Sequence, residues 1–197
     1  MSNYCSFELK AVGKKENLIK LHEIMNRKYN CTENDEEHLW RVFEAEECDN
    51  SFEFKNENCN KNEDFIVILG YCAWSVYSCM FDGPNTYQET DETGKGTTIS
   101  KISKDLELKI EIFSEESGMC FSEHYLIDNG DIIIDDNVDF YEYCIEEYDT
   151  LDDMIKDLEL DTNSISITEE DFEEAKNNSE YIKIGGHAID GNFIFTI

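Results

Sequence analysis

Basic residues are scarce in this chain: 16 lysines and arginines stand against 46 aspartates and glutamates in 197 residues, a formal net charge of −30. A phosphate-binding surface needs clustered lysine and arginine, so this shortage excludes binding to bare DNA, RNA or anionic lipid. Long apolar runs are absent too; none approaches the ~20 residues that a bilayer-crossing helix needs. The opening Met1-Ser2-Asn3-Tyr4-Cys5 has neither a basic nor an apolar leader region, so no secretory signal is expected and a cytoplasmic location is. The cysteines at 5, 31, 48, 59, 72, 79, 120 and 144 include no Cys-x2-Cys pair. Zinc knuckles built on close spacing are therefore excluded, and only a site assembled from distant residues stays open. In a reducing cytosol these thiols read as small buried hydrophobes. The sequons at Asn30-Cys31-Thr32 and Asn177-Asn178-Ser179 are then chance matches.

Hydrophobic residues make up 40% of the chain and aromatics 12%, enough for a packed core and against full disorder. The length suits one large domain or two small ones. Charge is uneven. Residues 1–30 carry six bases and three acids, whereas residues 128–197 carry 21 acids and three bases. More than half of the negative excess thus lies in the last third. Such a field repels nucleic acid and attracts a basic protein surface.

Residues 4–12 alternate Phe7, Leu9 and Ala11 with polar positions, a strand, and Gly13 ends it. Leu18, Leu21, Ile24 and Met25 then fall on one helical stripe over 15–28. Residues 31–63 read as an acidic insertion packed lightly on the core. Within it, Leu39, Trp40, Val42 and Phe43 are spaced as a short amphipathic helix, and Phe52 and Phe54 as a strand. The apolar run 64–72 predicts a central strand. Residues 74–81 predict a short helix or packed loop, with Pro84 marking a turn. A short helix is expected over 97–105, then a strand in which Leu106, Leu108, Ile110 and Ile112 alternate with charges. Asn129-Gly130 between β-rich runs at 119–127 and 131–134 is a hairpin signal. A further strand covers 138–145. Leu151, Met154, Ile155 and Leu158 predict an amphipathic helix, and Thr168 with Asp171 opens another through about Asn177. Residues 181–184 and 192–197 are expected to pair around Asp190-Gly191.

The Asn3-Tyr4-Cys5 strand leads through Gly13 into a helix, and Glu116-Ser117-Gly118-Met119-Cys120-Phe121 leads into a strand with the Asn129-Gly130 turn. In these features the chain resembles the YubB-type ferredoxin-like domain of plasmids and phages. The family's central tryptophan segment is matched only at Trp74 within Gly70–Ser75. The resemblance spans about residues 3–145 and leaves 31–63 and 146–197 outside. It implies an α+β fold: a ferredoxin-like antiparallel sheet with helices on one face, here followed by a C-terminal helix-helix-hairpin extension. The expected division is a domain over 1–145, carrying the insertion, and an acidic extension over 146–197 packed on it. The resemblance implies an accessory protein of a mobile element, with no activity attached.

Catalytic and metal patterns are weak. Gly94-Lys95-Gly96-Thr97-Thr98 echoes the end of a P-loop but lacks the earlier glycine and the preceding strand. Asp135-Asp136-Asn137-Val138-Asp139 lacks the central glycine and terminal glutamate of an EF-hand loop. His22, His38, His124 and His187 are scattered; His124 reads as a sheet-surface residue, with a cysteine partner in space as the alternative. No cofactor, metal ligand or catalytic residue is assigned. What remains is collective. Asp135, Asp136, Asp139, Glu142, Glu146, Glu147, Asp149, Asp152, Asp153 and Asp157 crowd together with Tyr141, Tyr143 and Tyr148, and Glu169, Glu170, Glu173 and Glu174 crowd on a helix beside Asp171. Like charges three or four apart cost a helix a few tenths of a kcal/mol per pair. Carboxylates spaced like phosphates mimic nucleic acid, and interleaved tyrosines anchor a partner; plain solubility is the competing explanation. The leading expectation is a phage or mobile-element inhibitor that occludes the nucleic-acid site of a basic host defence protein, such as a CRISPR effector or restriction enzyme. The alternatives are a small carboxylate- or metal-dependent hydrolase or nuclease, and a structural or regulatory accessory protein.

Overall fold

The computed structural model describes residues 4–27, 38–50, 64–82, 96–144, 148–160, 168–178, 181–187 and 193–194. The chain combines helices with a seven-stranded sheet of order β2-β3-β1-β4-β5-β6-β7, antiparallel at every pairing described. Its strands are β1 Tyr4–Gly13, β2 Val42–Asn50, β3 Asp64–Ala73, β4 Lys109–Glu116, β5 Phe121–Asp128, β6 Asp131–Cys144 and β7 Tyr181–Gly185. Its helices are α1 Lys15–Met25, α2 Ile99–Asp105, α3 Leu151–Asp157 and α4 Glu169–Asn178, with a π-helix at Tyr77–Asp82. The sheet is larger than the four strands usual in a ferredoxin-like fold. Contacts divide the chain into two units, residues 1–137 with 187–197, and residues 138–186. The division falls inside β6, and residues 187–197 belong with the first unit.

In the first unit, side chains alternate across the strands as the pleat demands. Cys5, Phe7, Leu9 and Ala11 of β1 face Cys72, Gly70, Ile68 and Ile66 of β3 in register, and Leu9 and Ala11 face Ile112 and Ile110 of β4. This face is covered by Leu18, Leu21 and Met25 of α1, Val76, Cys79 and Met80 around the π-helix, and Ile99 and Ile102 of α2, in one buried cluster. Helices thus lie on one face of these strands. Thr98 caps α2 by accepting from the Lys101 amide. The Asn129-Gly130 hairpin forms, with φ of 49° and 91°, the left-handed pair that a two-residue turn requires. The Gly130 amide donates to Ser103 Oγ at 3.0 Å, which pins the turn to α2.

Two expectations change, and a third, the hairpin around Asp190-Gly191, falls outside the described residues. Leu39, Trp40, Val42 and Phe43 form no helix: Arg41 turns the chain with φ 50°, and Val42 begins β2, paired to β3. Leu39, Trp40, Val42 and Ala45 are buried in the core, so this part of 31–63 is built into the sheet; Phe52 and Phe54 lie outside the described residues. β7 pairs with β6, Tyr181 opposite Cys144 through Gly185 opposite Phe140; of 192–197 only Phe193 and Ile194 are described, and residues 188–192 lie outside. Finally, the strand expected from Leu106 starts at Lys109, because Leu106 still closes α2 through its amide.

The second unit has its own small core of Leu151, Met154, Phe172, Ile182 and Ile184. Thr150 Oγ1 accepts from the Asp153 amide at 3.1 Å and opens α3. Among the described residues, no helix is long and apolar enough to cross a membrane.

Candidate functional site

The acidic positions singled out in the sequence divide between the two units. Asp135 and Asp136 belong to the first and are exposed; Asp136 lies 3.6 Å from His187 Nε2. In the second unit, Asp139 and Glu142 on β6 are exposed, as are Asp149 before α3 and Asp152, Asp153 and Asp157 on it. Glu169, Glu170, Glu173 and Glu174 are exposed on α4. Tyr141 is 58% exposed and its ring sits 6.3 Å from that of Tyr143. Tyr148 donates to Asp157 at 3.2 Å, beside a shallow depression lined also by Asp153, Lys156 and Glu159. Glu146, Glu147 and the Asp171 side chain lie outside the described residues. Residues 138–186 hold sixteen acids and three bases. One of those bases, Lys176, is engaged within the unit: it donates to the Asp149 carbonyl and lies over the Phe172 ring.

Sequence reasoning missed a second feature, a set of buried carboxylates on β4 and β5. Glu123 is fully buried on the helix-covered face. Its carboxylate accepts from the Val76 and Tyr77 amides at 2.8 and 3.2 Å, from Ser114 Oγ at 2.7 Å and from the Tyr125 hydroxyl at 3.1 Å. The two amides open the helical turn that carries the π-helix, so the carboxylate both satisfies them and meets the positive end of their dipoles. Glu111, on the opposite face, is also fully buried. It bonds His124 Nε2 at 2.9 Å and accepts from the Ile194 amide at 2.9 and 3.1 Å. His124 stacks on Phe113 with centroids 4.1 Å apart, and His187 meets both rings edge-on. His124 therefore does not lie on an open sheet surface, and among the described residues no contact with a cysteine is seen. His187 and Phe193 cover His124: the His187 amide donates to Ser122 Oγ at 2.6 Å, and Phe193 packs against Phe113. Lys10 of β1 lies over Phe65 and Phe193 at 5.6 Å each. Burial lowers its pKa, while Glu111 and Asp49 oppose that.

The remaining motifs take structural places. Glu116, buried, accepts from the Met119 amide and so closes the β4–β5 turn. Trp74, the residue that carried the central part of the family resemblance, stands at φ 64° where β3 meets the π-helix. It packs on Trp40 at 5.4 Å, and the Arg41 guanidinium lies over both rings, which holds the chain in that unfavourable conformation. Among the described residues, no group of three or more histidines, cysteines and carboxylates is arranged to hold a metal ion.

Burial, the Glu123 charge and their mutual hydrogen bond, with a smaller contribution from Asp135, push the Tyr125 phenol far above its ordinary value of 10. The unfolded chain releases this proton above about pH 10, whereas the folded chain keeps it. The unfolded state then binds fewer protons, so stability falls as pH rises past 10 by about 1.4 kcal/mol per pH unit from this group. Tyr125→Phe loses roughly 1 kcal/mol of hydrogen bonding at neutral pH, yet escapes the alkaline penalty. The stability gap between wild type and variant, followed by urea unfolding, is expected to close above about pH 10; a gap that stays constant contradicts the assignment.

Compared with family models, with characterised proteins and with solved structures, the chain matches none.

Proposed function

We propose that this protein is a binding inhibitor of phage or mobile-element origin that acts in the host cytosol on a basic nucleic-acid-binding protein, a CRISPR effector or restriction enzyme. It occludes the groove that nucleic acid would occupy, by charge and by bulk, without turnover. The observation that carries this reading is the use made of the acids. The deeply buried glutamates of the first unit are consumed by internal hydrogen bonds. The described acids of α3 and α4 are exposed, and the three bases of residues 138–186 do not balance the sixteen acids. A surface held at that density of one sign repels itself. It is complementary to a surface built to hold phosphates. Exposed Tyr141 and Tyr181 supply the aromatic contacts typical of binding hot spots.

The mobile-element assignment rests on the resemblance to the YubB-type domain, and topology supports that resemblance. The order β2-β3-β1-β4, antiparallel throughout, with α1 between β1 and β2 and α2 before β4, supports reading a ferredoxin-like β-α-β-β-α-β unit here. On this reading β5, β6 and β7 extend that sheet.

The test begins with recovery of a partner by affinity capture from the native host. Wild-type affinity for that partner is expected to fall steeply with added salt. The combined reversal Glu146→Lys, Glu147→Lys, Asp152→Lys and Asp153→Lys is expected to weaken it by about a hundredfold, roughly 0.7 kcal/mol per site. A partner bound equally well by the reversed protein overturns the proposal.

A further inference from the structure

Among the described residues, the face of the sheet opposite α1 is left exposed at the β2 end. Ser6 and Glu8 of β1 stand in register with Tyr71 and Leu69 of β3, which stand in register with Glu44 and Glu46 of β2. Alternation places these six positions on one face. Leu69 and Tyr71 are 45% and 48% exposed, and Tyr4 and Phe43 pack edge to face beside them, also exposed. Between the two rows lies a cavity of about 290 Å³, floored by the Phe7 and Gly70 backbone and walled by Ser6, Leu69, Tyr71, Glu44 and Glu46. Glu44 and Glu46 are exposed, and among the described residues neither side chain has a hydrogen bond or ion pair. Two described bases near this end are engaged elsewhere: Lys10 over Phe65 and Phe193, Arg41 over Trp40 and Trp74.

An apolar slot with an aromatic wall and two exposed carboxylates on one rim has a definite complement. The occupant needs an alkyl stem to cover Leu69, a flat cation to lie on Tyr71, and paired donors for carboxylates. Arginine has all three, whereas lysine lacks the planar fork. We propose that this slot receives an arginine side chain from a protein partner, with its guanidinium between the Tyr71 ring and the Glu44 and Glu46 carboxylates. The assignment goes beyond the inhibitor reading: it names a recognition element in the first unit, independent of the acids at 138–186.

The experiment is an amide-resolved NMR titration of the full chain with capped Ala-Arg-Ala, alongside its citrulline counterpart, which has nearly the same shape and no charge. Saturable shifts are expected at Ser6, Leu69, Gly70 and Tyr71. The citrulline peptide is expected to bind at least about tenfold more weakly, in keeping with the roughly 1.4 kcal/mol that a charge-assisted contact supplies. Glu44→Gln with Glu46→Gln, both at exposed positions, are expected to cause a similar loss, and Tyr71→Ala to abolish saturation. Reversal of Glu146, Glu147, Asp152 and Asp153 leaves the slot's response unchanged, which separates this site from the inhibitor surface. Equal binding of the citrulline peptide, or shifts that spread over acidic residues without saturating at Tyr71, overturns the proposal.

Discussion

Replacement of Glu123 by leucine is expected to destabilise the protein by about 3–5 kcal/mol, because several buried donors lose their acceptor at once. Four donors converge on this carboxylate, from Val76, Tyr77, Ser114 and Tyr125. None carries a full charge, so the anion is held by oriented dipoles. Leucine fills much of the volume but accepts nothing. The Val76 amide and the two hydroxyls then lose their acceptor within the core, at roughly 1–3 kcal/mol for each group left unsatisfied, less what relaxation recovers. Glu123→Gln keeps the shape and one acceptor oxygen but turns an NH2 toward the other donors; about half the loss is expected. Urea unfolding of both variants measures this. A leucine variant within about 0.5 kcal/mol of wild type would show that the network contributes nothing net.

Gly70→Ala is expected to cost about 2–4 kcal/mol through overpacking. Phe7 faces Gly70 directly across the β1–β3 pair. A β-carbon at this position would run into both the Phe7 ring and the Glu44 carbonyl oxygen. The ring is locked in the core, 2% exposed, so it cannot swing away as a flexible side chain would. The carbonyl belongs to β2 where its register slips between Val42 and Glu44. As the terminal strand, β2 has a neighbour on one side only, so it is the element expected to yield. Hydrogen exchange should then show loss of protection in β2 amides before those of β1 or β4. An alanine variant of unchanged stability and unchanged exchange would contradict this account of the glycine.

What was legible in the sequence was whatever local chemistry decides. The alternation in β1, the stripe of α1, the short helix within 97–105 and the Asn129-Gly130 turn each depend on residues within one element, and each formed where the spacing placed it. β2 was hidden because Leu39, Trp40, Val42 and Phe43 match a helical stripe. Their burial is achieved instead by a left-handed turn at Arg41 between two core residues and a strand. The buried glutamates were invisible for a different reason. In a strand, a charge that alternates with apolar residues reads as solvent-facing. Glu111 is buried with help from His187, Phe193 and Ile194, more than seventy positions away; Ile194 supplies one of its donors. Glu123 sits on the core face itself and is tolerated because two amides near residue 76 point at it. The acidic positions of α3 and α4 were read as exposed, and the described ones are.

The sulfur atoms of the first unit carry a kinetic consequence. Cys5 and Cys72 are cross-strand partners, Cys79 donates to the Ala73 carbonyl at 2.8 Å, and all three are fully buried, while Cys48 is exposed. Hydrogen bonds to Cys5 and Cys79, with burial, hold the Cys72 thiol well above its ordinary pKa, so little of the reactive thiolate exists even apart from access. An alkylating reagent therefore reaches Cys48, slowed by the partial burial and the carboxylates that raise its pKa, without any opening, and the three inner thiols only when the sheet parts from its helices. The interval between those two events is a clock built into the chain, and it times the opening of its core.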